Sequence, residues 1–209
     1  MKTSWITILI AGLSGLAATA KNPQPPSTSG EPALSVLVYD YAGLKDNTMN
    51  EVENLTGALL ERAGIRSQWV YCLGHQTGAR PPLCDADSEP GVLVMRILTK
   101  HPGQANKLGD PLGAAVIGNG FASLFATEVS KYADHNGLTE GCLMAYAAAH
   151  EIGHLLLGEK HADSGLMQAA WGKKEYRDMA QRWLGFSAEE RQALRQALPA
   201  PGQPVAGLK

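Results

Sequence analysis

Three of the six histidines in this chain lie between positions 150 and 161, inside the run "AAAHEIGHLLLGEKHADSGLM" (Ala147–Met167). No other stretch limits the fold so tightly. Its alanines favour helix. Thr139 can cap the start, and Gly158 stands where a left-handed stop is wanted, so the spacing predicts a helix over about 140–157. On that helix His150 and His154 are separated by about 400° and share one face, one turn apart. Glu151 sits about 60° round from His154, on the flank of the same face. His161 does not fit a continued helix. It would point the right way but lie about 10 Å beyond His154 along the axis. To bring it beside the other two, the chain must leave the helix and fold back, which Gly158 permits through a positive φ.

Two imidazoles at this spacing can share one metal ion, and a carboxylate on the flank can reach a metal-bound water without ligating the ion. This is the His-Glu-x-x-His arrangement of zinc hydrolases. Such a match also arises on an ordinary amphipathic helix. The helix-stopping glycine, the third histidine and the following Gly165-Leu166-Met167 point to a metal instead. Three neutral imidazoles leave a fourth position for water, which marks a catalytic rather than a closed structural zinc site. Zinc lowers the pKa of that water to near 7, and Glu151 can take its proton and deliver it to a leaving amine.

The stretch resembles the signature of the metzincin metallopeptidases, His-Glu-x-x-His-x-x-Gly-x-x-His followed by a methionine turn. His150, Glu151, His154, Gly158 and His161 match in order, and Ser164-Gly165-Leu166-Met167 is similar to the turn. Three residues, Leu155, Leu156 and Leu157, precede the glycine where the usual pattern has two. Small exported bacterial zincin-like proteins with "HEIGHLLLG", a later histidine and a "GLM" or "GIM" turn are also similar. The resemblance implies an α+β fold of zincin or metzincin type: a twisted mixed β-sheet packed on helices, a long active-site helix beneath a cleft, and a short helical C-terminal part. It implies one zinc per chain on His150, His154 and His161, with Met167 underlying the site without ligating. Another zincin class takes a downstream helical glutamate as third ligand, which makes Glu175 the rival; its setting "KKEYRD" reads as charged and solvated. His75, His101 and His135 read as surface residues, and Trp171 and Tyr176 are candidates to line the cleft.

The rest of the chain sets the context. Lys2, the apolar run Trp5 to Ala17 and the small-x-small Ala18-Thr19-Ala20 read as an export signal over 1–20, giving a secreted or periplasmic protein with no stable membrane span after cleavage. Residues 21–32 are rich in Pro and Ser and read as a linker, 33–198 as one domain, and 199–209 as a loose tail. Export favours a bridge between Cys72 and Cys84, which bracket a turn-rich loop, and leaves Cys142 free. With 18 basic and 20 acidic residues there is no electrostatic case for nucleic acid. Strand patterns cover 34–39, 68–72 and 92–98, with a helix over 47–63 and another from a Ser187-Ala-Glu-Glu190 capping box to about 198. "AAVIGNGFASLF" reads as a hairpin with a type I′ turn at Asn119-Gly120. A peptidase must hold an extended backbone beside its metal, the hairpin comes directly before the active-site helix in sequence and consecutive elements are usually neighbours, and metzincin-like folds place an edge strand along the cleft. One arm of the hairpin, Ala114, Ala115, Val116, Ile117 and Gly118 or else Phe121 to Phe125, is therefore the expected substrate edge.

The reading is an exported zinc peptidase acting on peptide or protein. The alternatives are a catalytically silent zinc-binding module, which has no need of Glu151, and a zinc hydrolase of a non-peptide amide such as cell-wall material.

Overall fold

A computed structural model describes residues 33–75, 78–85, 91–103 and 111–198. The expected signal, linker and tail lie outside them. Among the described residues five strands and five α-helices follow in the order β1 (Ala33–Asp40), α1 (Asp46–Arg62), β2 (Arg66–Leu73), β3 (Val92–Leu98), β4 (Gly113–Val116), β5 (Phe121–Phe125), α2 (Ala126–Asn136), α3 (Glu140–Leu157), α4 (Lys173–Ala180) and α5 (Ala188–Ala197). The architecture is α+β: the strands form one mixed sheet in the order β2-β1-β3-β5-β4. The pairs β1–β2, β1–β3 and β3–β5 are parallel, and only β4, at the edge, runs antiparallel to its neighbour.

Strand alternation divides the core. Leu34, Val36 and Val38 of β1, Leu93, Met95 and Ile97 of β3, and Ala122 and Leu124 of β5 face the helices. Leu37, Val70, Cys72, Val92 and Val94 face the other way and pack with Cys84. That second face is pinned by a disulfide between Cys72 and Cys84, residues twelve apart in sequence. Cys142 is free and buried.

The central element is α3. Every residue from Gly141 to Leu155 is buried, as expected of a helix that is small and apolar all round. Its glycines allow close approach. A Cβ at Gly141 would stand 2.9 Å from the Thr48 carbonyl oxygen in α1. Thr139 caps the helix by accepting from the Cys142 N–H at 3.1 Å. Gly158 ends it at φ 93°, ψ −168°. This is not the left-handed helical stop expected, but an extended conformation on the positive-φ side, and it throws the chain sideways out of the helix axis.

The structure also corrects the sequence reading at the hairpin and at two short helices. The hairpin has no two-residue turn at Asn119-Gly120. Val116 pairs with Phe121, so Ile117 to Gly120 form a four-residue turn with positive φ at Gly118 and Gly120 but not at Asn119. Ile117 and Gly118 therefore lie in the turn, beyond the strand. The hairpin also does not lead directly into α3, because α2 intervenes. Its buried face is only Ala126, Val129 and Ala133, too small a stripe to register as a periodic pattern. Finally, α4 lies in the stretch read as solvated: it buries Glu175 and Met179.

Candidate metal centre

Helical spacing sets two of the three histidines. His150 and His154 on α3 are both buried, and their Nε2 atoms stand 3.0 Å apart. The third arrives by the fold-back. After Gly158 the chain reverses through a turn in which the Ala162 N–H donates to the Met167 carbonyl at 2.9 Å and Gly165 takes φ 86°. This places the Nε2 of His161 3.2 Å from that of His154. One ligand atom from each of the three histidines falls within 4.8 Å of the others. Leu155, Leu156 and Leu157, one more residue than the usual spacing, all belong to α3, and the chain leaves the helix only at Gly158.

The other ring nitrogens explain why this is a donor set. Nδ1 of His150 lies 2.8 Å from the Leu166 carbonyl oxygen, and Nδ1 of His154 lies 2.9 Å from that of Gly158. A carbonyl only accepts, so each Nδ1 carries the proton and each Nε2 presents a lone pair. Lone pairs facing each other at 3.0 Å repel unless a cation sits among them. Burial pushes the His150 pKa down to about 4, against the opposing pull of the Leu166 carbonyl, while the neighbouring His154 and His161 lower it further. His161, exposed at the rim, is also lowered by desolvation and by His154. Neutral imidazoles converging through Nε2, with the far nitrogen bonded to a carbonyl, are what a zinc site needs. The cluster fits one zinc ion.

Met167 is nearly fully buried and lies against α3 at Gly153, where an added Cβ would overlap its sulfur and stand 2.9 Å from its methyl carbon. Gly153 thus admits the methionine beneath the two helical histidines, a role that no sequence signal announced. Glu175, the rival ligand, is not in the cluster. Its Oε2 accepts the Gly172 N–H at 3.0 Å and closes the start of α4, which accounts for a buried carboxylate in a charged segment. Trp171 turns toward the centre, its ring edge-on to His150 with centroids 5.5 Å apart. Tyr176 packs at the margin of the core. Of the remaining histidines only His135 is exposed; His75 and His101 are half-buried.

Glu151 is buried on the other flank, against β4. A Cβ on Gly113 would stand 2.8 Å from both its Cγ and its Oε1, so the strand approaches the carboxyl closely only because position 113 has no side chain. Burial raises the Glu151 pKa to about 8, opposed by a backbone hydrogen bond from Ala115. A dication beside it acts in the opposite direction and favours the ionised form. The Phe125 N–H donates to the Leu112 carbonyl. By antiparallel alternation the backbone groups of Ala114 and Val116 therefore face β5, while those of Gly113 and Ala115 point outward. Among the described residues no strand pairs with that outer side.

No family model matches the sequence, and no curated protein matches it. Solved structures do match. A zinc-dependent peptidase from Methanocorpusculum labreanum is similar at 15% identity and TM-score 0.51, over 77% of this chain and 99% of that one. Metalloproteinase-II from Bacteroides fragilis is similar at 13% and 0.51, over 82% of this chain but only 55% of its own length. Archaemetzincin from Methanopyrus kandleri is similar at 12% and 0.50, over 83% and 98%. At these identities the likeness is one of fold: the chain has the metzincin-like zincin architecture.

Proposed function

We propose that this chain is an exported zinc-dependent peptidase, hydrolysing peptide bonds of a protein or peptide held along β4. The observation that carries the reading is the convergence of three imidazole nitrogens beside a buried carboxyl at a sheet edge that no strand among the described residues pairs with. His150, His154 and His161 would hold the ion, which when bound supplies Lewis acidity toward a carbonyl and an acidified water. Glu151 takes a proton from the attacking water at a carboxylate oxygen and passes it to the leaving amine nitrogen. The outward Gly113 N–H and the outward C=O groups of Gly113 and Ala115 hold an extended backbone in register, while the Ala115 N–H holds the Glu151 carboxyl. The carboxyl at this edge favours a hydrolase over a silent zinc-binding module. Export is supported by the apolar N-terminal run and the Cys72–Cys84 disulfide; among the described residues no helix is long and apolar enough to cross a membrane.

The test is a peptide-library digest with and without chelator, read by mass spectrometry, run beside peptidoglycan as the competing amide substrate. Chelator-sensitive peptide cleavage is expected; release from peptidoglycan alone would replace the substrate class. Zinc should bind at about one per chain, and His150→Ala or His154→Ala should abolish tight binding.

A further inference from the structure

The Leu166 carbonyl oxygen accepts twice. One bond comes from Nδ1 of His150 at 2.8 Å, and the other from the indole Nε1 of Trp171 at 3.2 Å. The same indole stands edge-on to the His150 ring, with an interplanar angle of 88°. Trp171 therefore touches both ends of the contact that aims His150: it shares the acceptor and blocks the ring's rotation. Neither partner is free to drift. Leu166 is fully buried, with its own N–H bonded to the Gly185 carbonyl at 3.3 Å. Trp171 is followed directly by Gly172, which the Glu175 carboxylate clamps at the start of α4.

We propose that Trp171 is a positioning residue for the metal centre, holding the Leu166 carbonyl and the His150 ring so that Nε2 of His150 stays aimed at the ion. This rests on the reading of the three histidines as zinc ligands. A carbonyl oxygen has two lone-pair directions. With the indole N–H in one of them, the histidine N–H is confined to the other, and the imidazole plane is set before any metal arrives. Partners one shell out from a ligand carry this orientation, and their loss typically costs 10–100-fold in metal affinity. Trp171 acts at the outer end of that chain, so the expected loss is about 10-fold.

The test uses the purified chain, titrated with zinc against a chromophoric chelator and, separately, loaded with cobalt for its visible spectrum. Trp171→Phe removes the N–H and keeps a ring; Trp183→Phe, at an exposed tryptophan outside the centre, is the control. The expected result is about 10-fold weaker zinc in W171F, a shifted cobalt spectrum, and wild-type values for W183F. Should W171F fail to fold, a benzothienyl-alanine at 171 keeps the ring's shape and deletes only the N–H. A 171 variant with zinc affinity within twofold of wild type and a superimposable cobalt spectrum overturns the proposal, even if its Tm has fallen. A wild-type chain that binds no zinc overturns the metal-centre reading and this proposal together.

Discussion

His150 and His75 are each held at both ring nitrogens, and the two environments lead to opposite chemistry. At His150 one nitrogen meets a carbonyl and the other meets imidazole nitrogens. Burial drives its pKa down to about 4, leaving a neutral ring with a lone pair to give. At His75, Nε2 lies 2.9 Å from Asp40 and Nδ1 2.7 Å from Asp46. Carboxylate oxygens accept, so both nitrogens need protons and the ring is a cation. Desolvation pulls the His75 pKa down, but the hydrogen bonds to Asp46 and Asp40 and the charges of both outweigh it, and the net shift is upward. Asp40 is itself tied to the Ala42, Gly43 and Leu44 N–H groups. The His75 region is thus a tie between the ends of β1 and β2 and the start of α1, near the Cys72–Cys84 bridge. What a histidine does here is decided by whether its second nitrogen faces other imidazole nitrogens or a second acceptor.

If the comparison holds, substitutions at the metal end change activity and those at the His75 end change stability. The largest effect is expected from Glu151→Gln. An amide cannot take the water's proton, so turnover should fall by about 10²–10⁴-fold with bound zinc and Tm near wild type. Near-normal turnover in that variant would remove Glu151 from the mechanism. The counterpart at the other end is Cys72→Ser with Cys84→Ser. On the chain-entropy model, opening a loop of this length costs about 3 kcal/mol, read by urea denaturation, while zinc affinity stays put. A comparable fall in zinc affinity would show that the two regions are coupled.

Gly153→Ala sharpens the metal end. Overpacking costs about 1–3 kcal/mol, and the better helix propensity of alanine returns about 1 kcal/mol. The net expectation is a loss of about 1 kcal/mol, an increment that largely disappears when Gly153→Ala is made in a Met167→Ala background. An outright gain in stability would mean that Met167 does not lie against the helix. The smallest effect belongs to His75. Its folded pKa is raised, so its contribution is complete below the unfolded value of about 6.5 and fades as pH rises through the folded value. Wild type should therefore exceed His75→Gln in stability by more at about pH 6 than at about pH 8. NMR titration should place the His75 pKa above 6.5, and Asp40→Asn should lower it. A pKa at or below 6.5 in wild type breaks the contrast with His150.

The sequence by itself determined what a single element can determine. The limits of β3 at Val92–Leu98 and of α3 at Glu140–Leu157 are written in local signals: a β-branched apolar run, a capping threonine, a helix-ending glycine. So is the common face of His150 and His154, because four residues on a helix are one turn wherever the helix lies. Helices α2 and α4 were not legible, since each buries too few apolar side chains to leave a pattern. Glu175 misled for a related reason: composition shows a charged segment but not which carboxylate folds back onto a helix start. The approach of Gly113 to Glu151, the seat of Met167 at Gly153 and the indole of Trp171 on the Leu166 carbonyl were decided only by the tertiary structure. These contacts join segments whose separation in space is set by sheet order and by the turn after Gly158, and neither follows from the spacing of residues along the chain.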